Sequence, residues 1–283
     1  MTFKVLLLVL LSVLLLVPCI LYDVYRVLAY IMVSLAFSAT SLLTYYRRLE
    51  FLVAESVHSG LLAVTAGYII EYYVGGNVYY YAVPIGLLLV YTTMALVKRG
   101  FMQEKAISIT SSLTLVLTIL LVHYALTRIP VKYSISSILL GDPLLVSTGE
   151  AVFAIILSLV ITFVILLIFR RVLEVSVDEV SAQLAGISVS FYEFLSYTLI
   201  GVVSITLLKF AGYIAEHVML LLPASIAALY SNSVREHVWL GLVVGFFSAT
   251  SGLSLSILLG GAPTGFTGLV LILLLLLKYI MKV

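Results

Sequence analysis

Only one cysteine, Cys19, occurs in the 283 residues. An intramolecular disulfide and a Cys-rich metal site are therefore excluded. Charge is scarce as well: 10% of the residues are charged and the net charge is +2. Nucleic-acid binding has no electrostatic basis at that balance. There is no Gly-rich phosphate loop, no HExxH and no Ser/His/Asp spacing of the kind hydrolases use. No polar stretch is long enough to make a soluble domain. If ATP drives this protein, the ATPase is another chain.

What is present is apolar surface, at 63% of the residues. A soluble fold of this length cannot hide that much, so the chain is an integral membrane protein, an all-α polytopic helix bundle. A bilayer is spanned by about 20 apolar residues, and the pattern gives roughly ten spans, with a range of about 8–10. They lie near 5–22, 27–46, 52–72, 79–97, 106–126, 149–169, 191–209, 212–230, 238–258 and 264–281. The whole chain, 1–283, reads as a single transmembrane domain, with an uncleaved extra N-terminal span within 1–26. Basic residues at the joints include Arg47, Arg48, Lys98, Arg99, Arg170 and Arg171. Placing them inside selects an N-in, C-in topology in the cell membrane. Tyrosines at 45–46, 72–73 and 79–81 fall where interface belts are expected.

Two connections are longer than the rest. The outer one, 127–148, holds a Gly141-Asp142-Pro143 turn signal and is expected to carry a short helix or a re-entrant piece. The inner one, 170–190, is the most polar stretch of the chain. Ser176 or Asp178 is placed to cap a short helix through Ala185, with Gly186 ending it.

Against this apolar background two ionisable pairs stand out. Glu216 and His217 sit inside an apolar segment, where desolvation costs several kcal/mol unless partners are found. They are adjacent, so their side chains diverge by ~100° and do not chelate one ion together. A pair between Lys209 and Glu216 is the structural alternative. Glu55 and His58 are three residues apart on one helix face. His58 lies ~15 Å along the helix from Arg48, near the middle of a ~30 Å core. A carboxylate with a neutral imidazole suits Zn²⁺, Mn²⁺ or Fe²⁺. The plainer reading is a buried histidine bonded to a neighbouring helix, with Glu55 reaching a cytoplasmic cavity. His237, at the end of a span, reads as interfacial and solvated, and His123 as structural.

Several stretches together resemble one family, the membrane permease subunits of ABC transporters for zinc, manganese or iron. Arg47-Arg48 followed by Glu55 and His58 matches its arginine pair, acid and histidine. DEVSAQLAG matches its cytoplasmic D-E-x-x-A-x-x-x-G segment at Asp178, Glu179, Ala182 and Gly186. Pro223, Ala224 and Ala227 match P-A-x-x-A, and Pro263 with Gly265 matches the P-x-G turn before the last span. The chain departs from the pattern at Ala54, where the family carries its acid. It departs again at Gly260-Gly261 and at Glu216-His217. The resemblance implies a type II ABC importer-like fold and a divalent metal ion as transported substrate. ATP would be hydrolysed in a separate cytoplasmic ATPase docked on Asp178–Gly186. It also implies a permease homodimer and an external metal-binding protein. A proton-coupled secondary carrier and a membrane-embedded metalloenzyme are the competing readings.

Overall fold

Several helices begin where side chains replace missing backbone partners. In the computed structural model, Ser147 and Glu150 form a capping box: the Glu150 N–H donates to Ser147 Oγ at 3.3 Å, and the Ser147 N–H donates to Glu150 Oε2 at 2.9 Å. Ser233 does the same work for Glu236, whose N–H donates to Ser233 Oγ at 3.2 Å. Asn77 Oδ1 accepts the Tyr79 N–H at 2.9 Å. The structure describes residues 18, 20–129, 141, 143–144 and 146–280.

The helices in chain order are α1 Val24–Arg47, α2 Glu50–Val74, α3 Val78–Lys98, α4 Gln103–Arg128 and α5 Thr148–Val177. There follow α6 Glu179–Leu184, α7 Val189–Thr206, α8 Leu208–Ala211, α9 Tyr213–Tyr230, α10 Val234–Leu259 and α11 Pro263–Ile280. Seven of these are long and apolar enough to cross a membrane: α1 to α5, α7 and α10. The expectation of ten spans is corrected to seven among the described residues. The first expected span, 5–22, lies almost wholly outside them, as does most of the outer connection with Asp142. The segments at 212–230 and 264–281 do form helices. Their apolar parts, Ala215–Tyr230 and Pro263–Lys278, rise only ~24 Å against a ~30 Å hydrocarbon core.

The chain forms two compact units. One comprises residues 1–42, 136–166 and 209–283; the other comprises 43–135 and 167–208. In the second unit the helices approach through small residues, because lipid gives apolar faces no reason to associate and close packing must supply it. A Cβ on Gly60 of α2 would stand 2.8 Å from the Ser204 carbonyl oxygen of α7, and one on Gly67 2.7 Å from the Val78 carbonyl oxygen. Hydroxyl pairs fasten the same seams: Ser56 to Ser204 at 2.9 Å, Thr93 to Thr110 at 2.9 Å, Tyr91 to Thr198 at 2.8 Å.

In the first unit, Val27, Tyr30, Ile31, Ala249 and Leu253 form a buried cluster between α1 and α10. The Tyr30 hydroxyl meets Thr267 Oγ1 on α11 at 2.7 Å, and Ser34 donates to the Gly245 carbonyl at 3.0 Å. Gly252 has no room for a Cβ beside Thr267.

Candidate functional site

The second unit places Glu55 and His58 on α2. Glu55 is fully buried and His58 is half-buried. The Ser59 hydroxyl, one turn on, donates to Glu55 Oε1. Oε2 is buried with no hydrogen-bond partner among the described residues. A buried carboxylate oxygen without a donor is costly, and either a proton or a cation removes the cost. Ser56 and Gly60 seat α2 against α7.

The first unit places Glu216 and His217 in the first turns of α9. Gly212 precedes the helix at φ +74°, a conformation that a side chain would strain. Glu216 is fully buried. His217 is half-buried; its Nδ1 lies 3.0 Å from the Tyr213 carbonyl, and its ring stands edge-on to Tyr213 with centroids 5.4 Å apart. Lys209 forms an ion pair with Glu150 at 2.6 Å. The two ionisable pairs thus belong to different units. Among the described residues, no group of three or more His, Cys, Asp and Glu side chains is placed to hold a metal ion.

The polar connection folds as its residues dictate. Asp178 Oδ1 accepts the N–H groups of Val180 and Ser181 at 3.0 and 3.1 Å, and Oδ2 accepts the Ser181 hydroxyl at 2.5 Å. Those bonds, the Ser181 hydroxyl first, hold the carboxyl below its usual pKa. Gly186, at φ +81°, ends the turn, and the Ile187 N–H returns to the Ala182 carbonyl at 3.0 Å. Ala182 is buried, while Val180 and Leu184 are 68% and 84% exposed. Arg47 reaches Glu179 at 3.5 Å, which ties the arginine pair to the short helix. Helix α5 runs on to Val177, beyond the expected end at 169, and Glu174 there pairs with Arg170 and Arg171 at 3.3 and 2.9 Å.

Two residues that matter were missed or misread from the sequence. His237 is buried, not solvated, and its Nε2 lies 2.9 Å from the Ala224 carbonyl. Ser41 Oγ accepts the N–H of the same alanine at 3.0 Å. The Ser233-x-x-Glu236 capping signal was available, and it places His237 inside the helix rather than before it.

The sequence model of the ABC 3 transport family matches residues 23–282. The manganese import system permease protein ScaB of Streptococcus gordonii is 30% identical over 192 residues, 68% of each chain. Among solved structures, PsaBC from Streptococcus pneumoniae in complex with Fab matches with a TM-score of 0.77 and 25% identity, covering 90% of this chain and 89% of that one. An inward-facing metal-chelate type ABC transporter matches in fold, with a TM-score of 0.67 and 17% identity over 91% of this chain and 85% of that one. The PsaBC structure corrects the expected homodimer: it is an assembly of distinct chains, not of identical copies. A homodimer needs one self-complementary patch on both copies, whereas distinct chains meet through two different surfaces.

Proposed function

The chain belongs to the ABC 3 transport family and is a permease subunit of an ABC-type divalent-metal import system; we propose that Mn²⁺ is its cargo and that Glu55 and His58 contact it in transit. Family membership places ATP hydrolysis in a separate ATPase chain, so this subunit is not itself an enzyme. The reading is carried by the Glu55 carboxylate, buried in a membrane-spanning helix with one oxygen on Ser59 and the other without a hydrogen-bond partner among the described residues. Carboxylate, hydroxyl and imidazole together form an oxygen-rich set, which suits Mn²⁺ better than the softer sets that select zinc. Such a set also binds moderately, as a site that must release its ion requires. In the first unit, Glu216 and His217 are ionisable groups in an apolar helix, and at least one of them contacts the ion in transit. Arg47, Arg48, Arg170 and Arg171 lie on the cytoplasmic side. There, Asp178–Gly186 presents Val180 and Leu184 to the ATPase.

The test is uptake of radioactive manganese by proteoliposomes holding the full complex. Glu55→Gln and His58→Ala should each lower uptake at least tenfold while leaving ATPase association and basal hydrolysis in place. Normal uptake by both variants would reduce the two residues to packing. Uptake that persists without ATP would favour a proton-coupled carrier instead.

A further inference from the structure

Helix α9 contains Pro223. A proline inside a helix supplies no N–H, so the carbonyl four residues back loses its partner and is crowded by the ring. In a membrane the disturbed backbone groups must be satisfied by neighbouring helices. The residue after the proline, Ala224, is fully buried, and two neighbouring helices hold both of its peptide groups. Its N–H donates to Ser41 Oγ of α1 at 3.0 Å. Its carbonyl lies 2.9 Å from His237 Nε2 of α10. A carbonyl only accepts, so Nε2 carries the hydrogen. Ser41 and His237 are 1% and 4% exposed, so water does not compete for either bond.

The geometry points to Ser41 and His237 as positioning residues that clamp α9 at Pro223 and thereby set where Glu216 and His217 point. Proline breaks are where helices kink. Glu216 lies seven residues before Pro223, ~10 Å along the axis. A change of kink angle at Pro223 therefore swings the ionisable pair through a lever of that length. Two helices hold the pivot by its own peptide groups, one on the N–H and one on the carbonyl. This inference rests on the permease reading for its transport consequence, but the clamp itself is a property of the fold.

The test is a mutant cycle on the purified complex, read by melting temperature without cargo and by manganese uptake per assembled transporter. His237→Leu removes the donor; His237→Gln keeps an amide that can reach the carbonyl. Pro223→Ala gives residue 223 an N–H for the Met219 carbonyl, so α9 holds its own course at this point and depends less on the clamp. His237→Leu should lower Tm by roughly 3–5 °C, as loss of a buried hydrogen bond does, and uptake about tenfold. His237→Gln should stay within about twofold of wild type, since a conservative donor meets the same geometric demand. In the Pro223→Ala background the Tm shift from His237→Leu should fall to less than half. Equal shifts in both backgrounds, or a His237→Gln variant no better than His237→Leu, would overturn the clamp. Should His237→Leu fail to assemble, Ser41→Ala runs the same cycle with the same criteria. A wild-type complex that moves no manganese would defeat the proposed cargo and leave the Tm cycle readable.

Discussion

Gly60→Ala is the substitution for which the structure gives a calculable cost. The added Cβ would lie 2.8 Å from the Ser204 carbonyl oxygen, 3.3 Å from its carbon and 3.7 Å from Ile205 Cα. These are backbone atoms in the last turn of α7, so no side chain can swing aside. Ordinary contact requires about 3.4 Å, so α2 and α7 must part by ~0.6 Å. That opening stretches the Ser56–Ser204 hydrogen bond, now 2.9 Å, to the limit of a useful bond. Overpacking costs about 1–3 kcal/mol, and an interhelical hydrogen bond in a membrane contributes about 0.6 kcal/mol. The total is about 2–4 kcal/mol, or a Tm lowered by roughly 5–10 °C. Ser204→Ala removes the hydrogen bond alone and should cost only the smaller term. Thermal unfolding of the purified chain in mild detergent measures both. Uptake should fall too, because Glu55 and His58 ride on the helix that is pushed aside. A Gly60→Ala variant within about 1 °C of wild type would refute the close approach of α2 and α7.

At Asp178 the cap can be separated from the charge. Asp178→Asn keeps an acceptor for Val180 and Ser181, so it should retain ATPase co-purification, whereas Asp178→Ala should lose it; equal loss by both would make charge the operative feature. The folded carboxyl titrates below its usual pKa, so the cap persists above the ordinary value and is lost only as pH falls through the lowered one. Docking measured between about pH 5 and 8 should therefore not change through this group. Glu150→Gln keeps the capping box, since glutamine is accepted at that position, but breaks the pair with Lys209, whose members are 36% and 27% exposed. Its cost should be about 1 kcal/mol, between exposed and buried pairs, and should shrink in ~1 M salt; a salt-independent loss would place the effect in packing.

Hydrophobic run length located nearly every helix, because the period and the charged joints are local signals. The ends were less secure for a physical reason. Arg170–Val177 reads as connector by polarity, yet Glu174 can pair with both arginines only if the helix continues. Asp178 was legible as a cap and Gly186 as a stop, since both act within a few residues. Glu55 and His58 were legible as ionisable groups in an apolar run. Their surroundings were not: Ser59 is a turn away, but the Ser56–Ser204 pair links residues 148 apart in sequence. His237 failed for the same reason. Its partner, Ala224, lies on another helix, and nothing in the residues around 237 names it.

The residues that carry the family resemblance turn out to be fasteners. Arg47 holds Glu179, Asp178 caps α6, and Gly186 ends its turn. Ser41 and His237 hold the peptide groups of Ala224, next to Pro223. Pro263 opens α11 at its first position, where a missing N–H costs nothing, and the Ser256 hydroxyl donates to the Gly261 carbonyl just before it. Each of these needs a particular side chain for a backbone reason that does not depend on the ion being moved. Cargo makes a different demand: donors in the right number and of the right softness, facing the route. Apart from His58, the residues proposed to meet it here are ones where the chain departs from the family pattern, with alanine at 54, the acid shifted to Glu55, and Glu216-His217 in place of apolar residues. Resemblance therefore transfers the scaffold and its coupling to the ATPase more firmly than it transfers the metal. Exchanging Ala54 and Glu55 with each other is the change on which selectivity between manganese and zinc should turn. It moves the carboxylate ~100° around α2, away from Ser59, while every fastener stays in place.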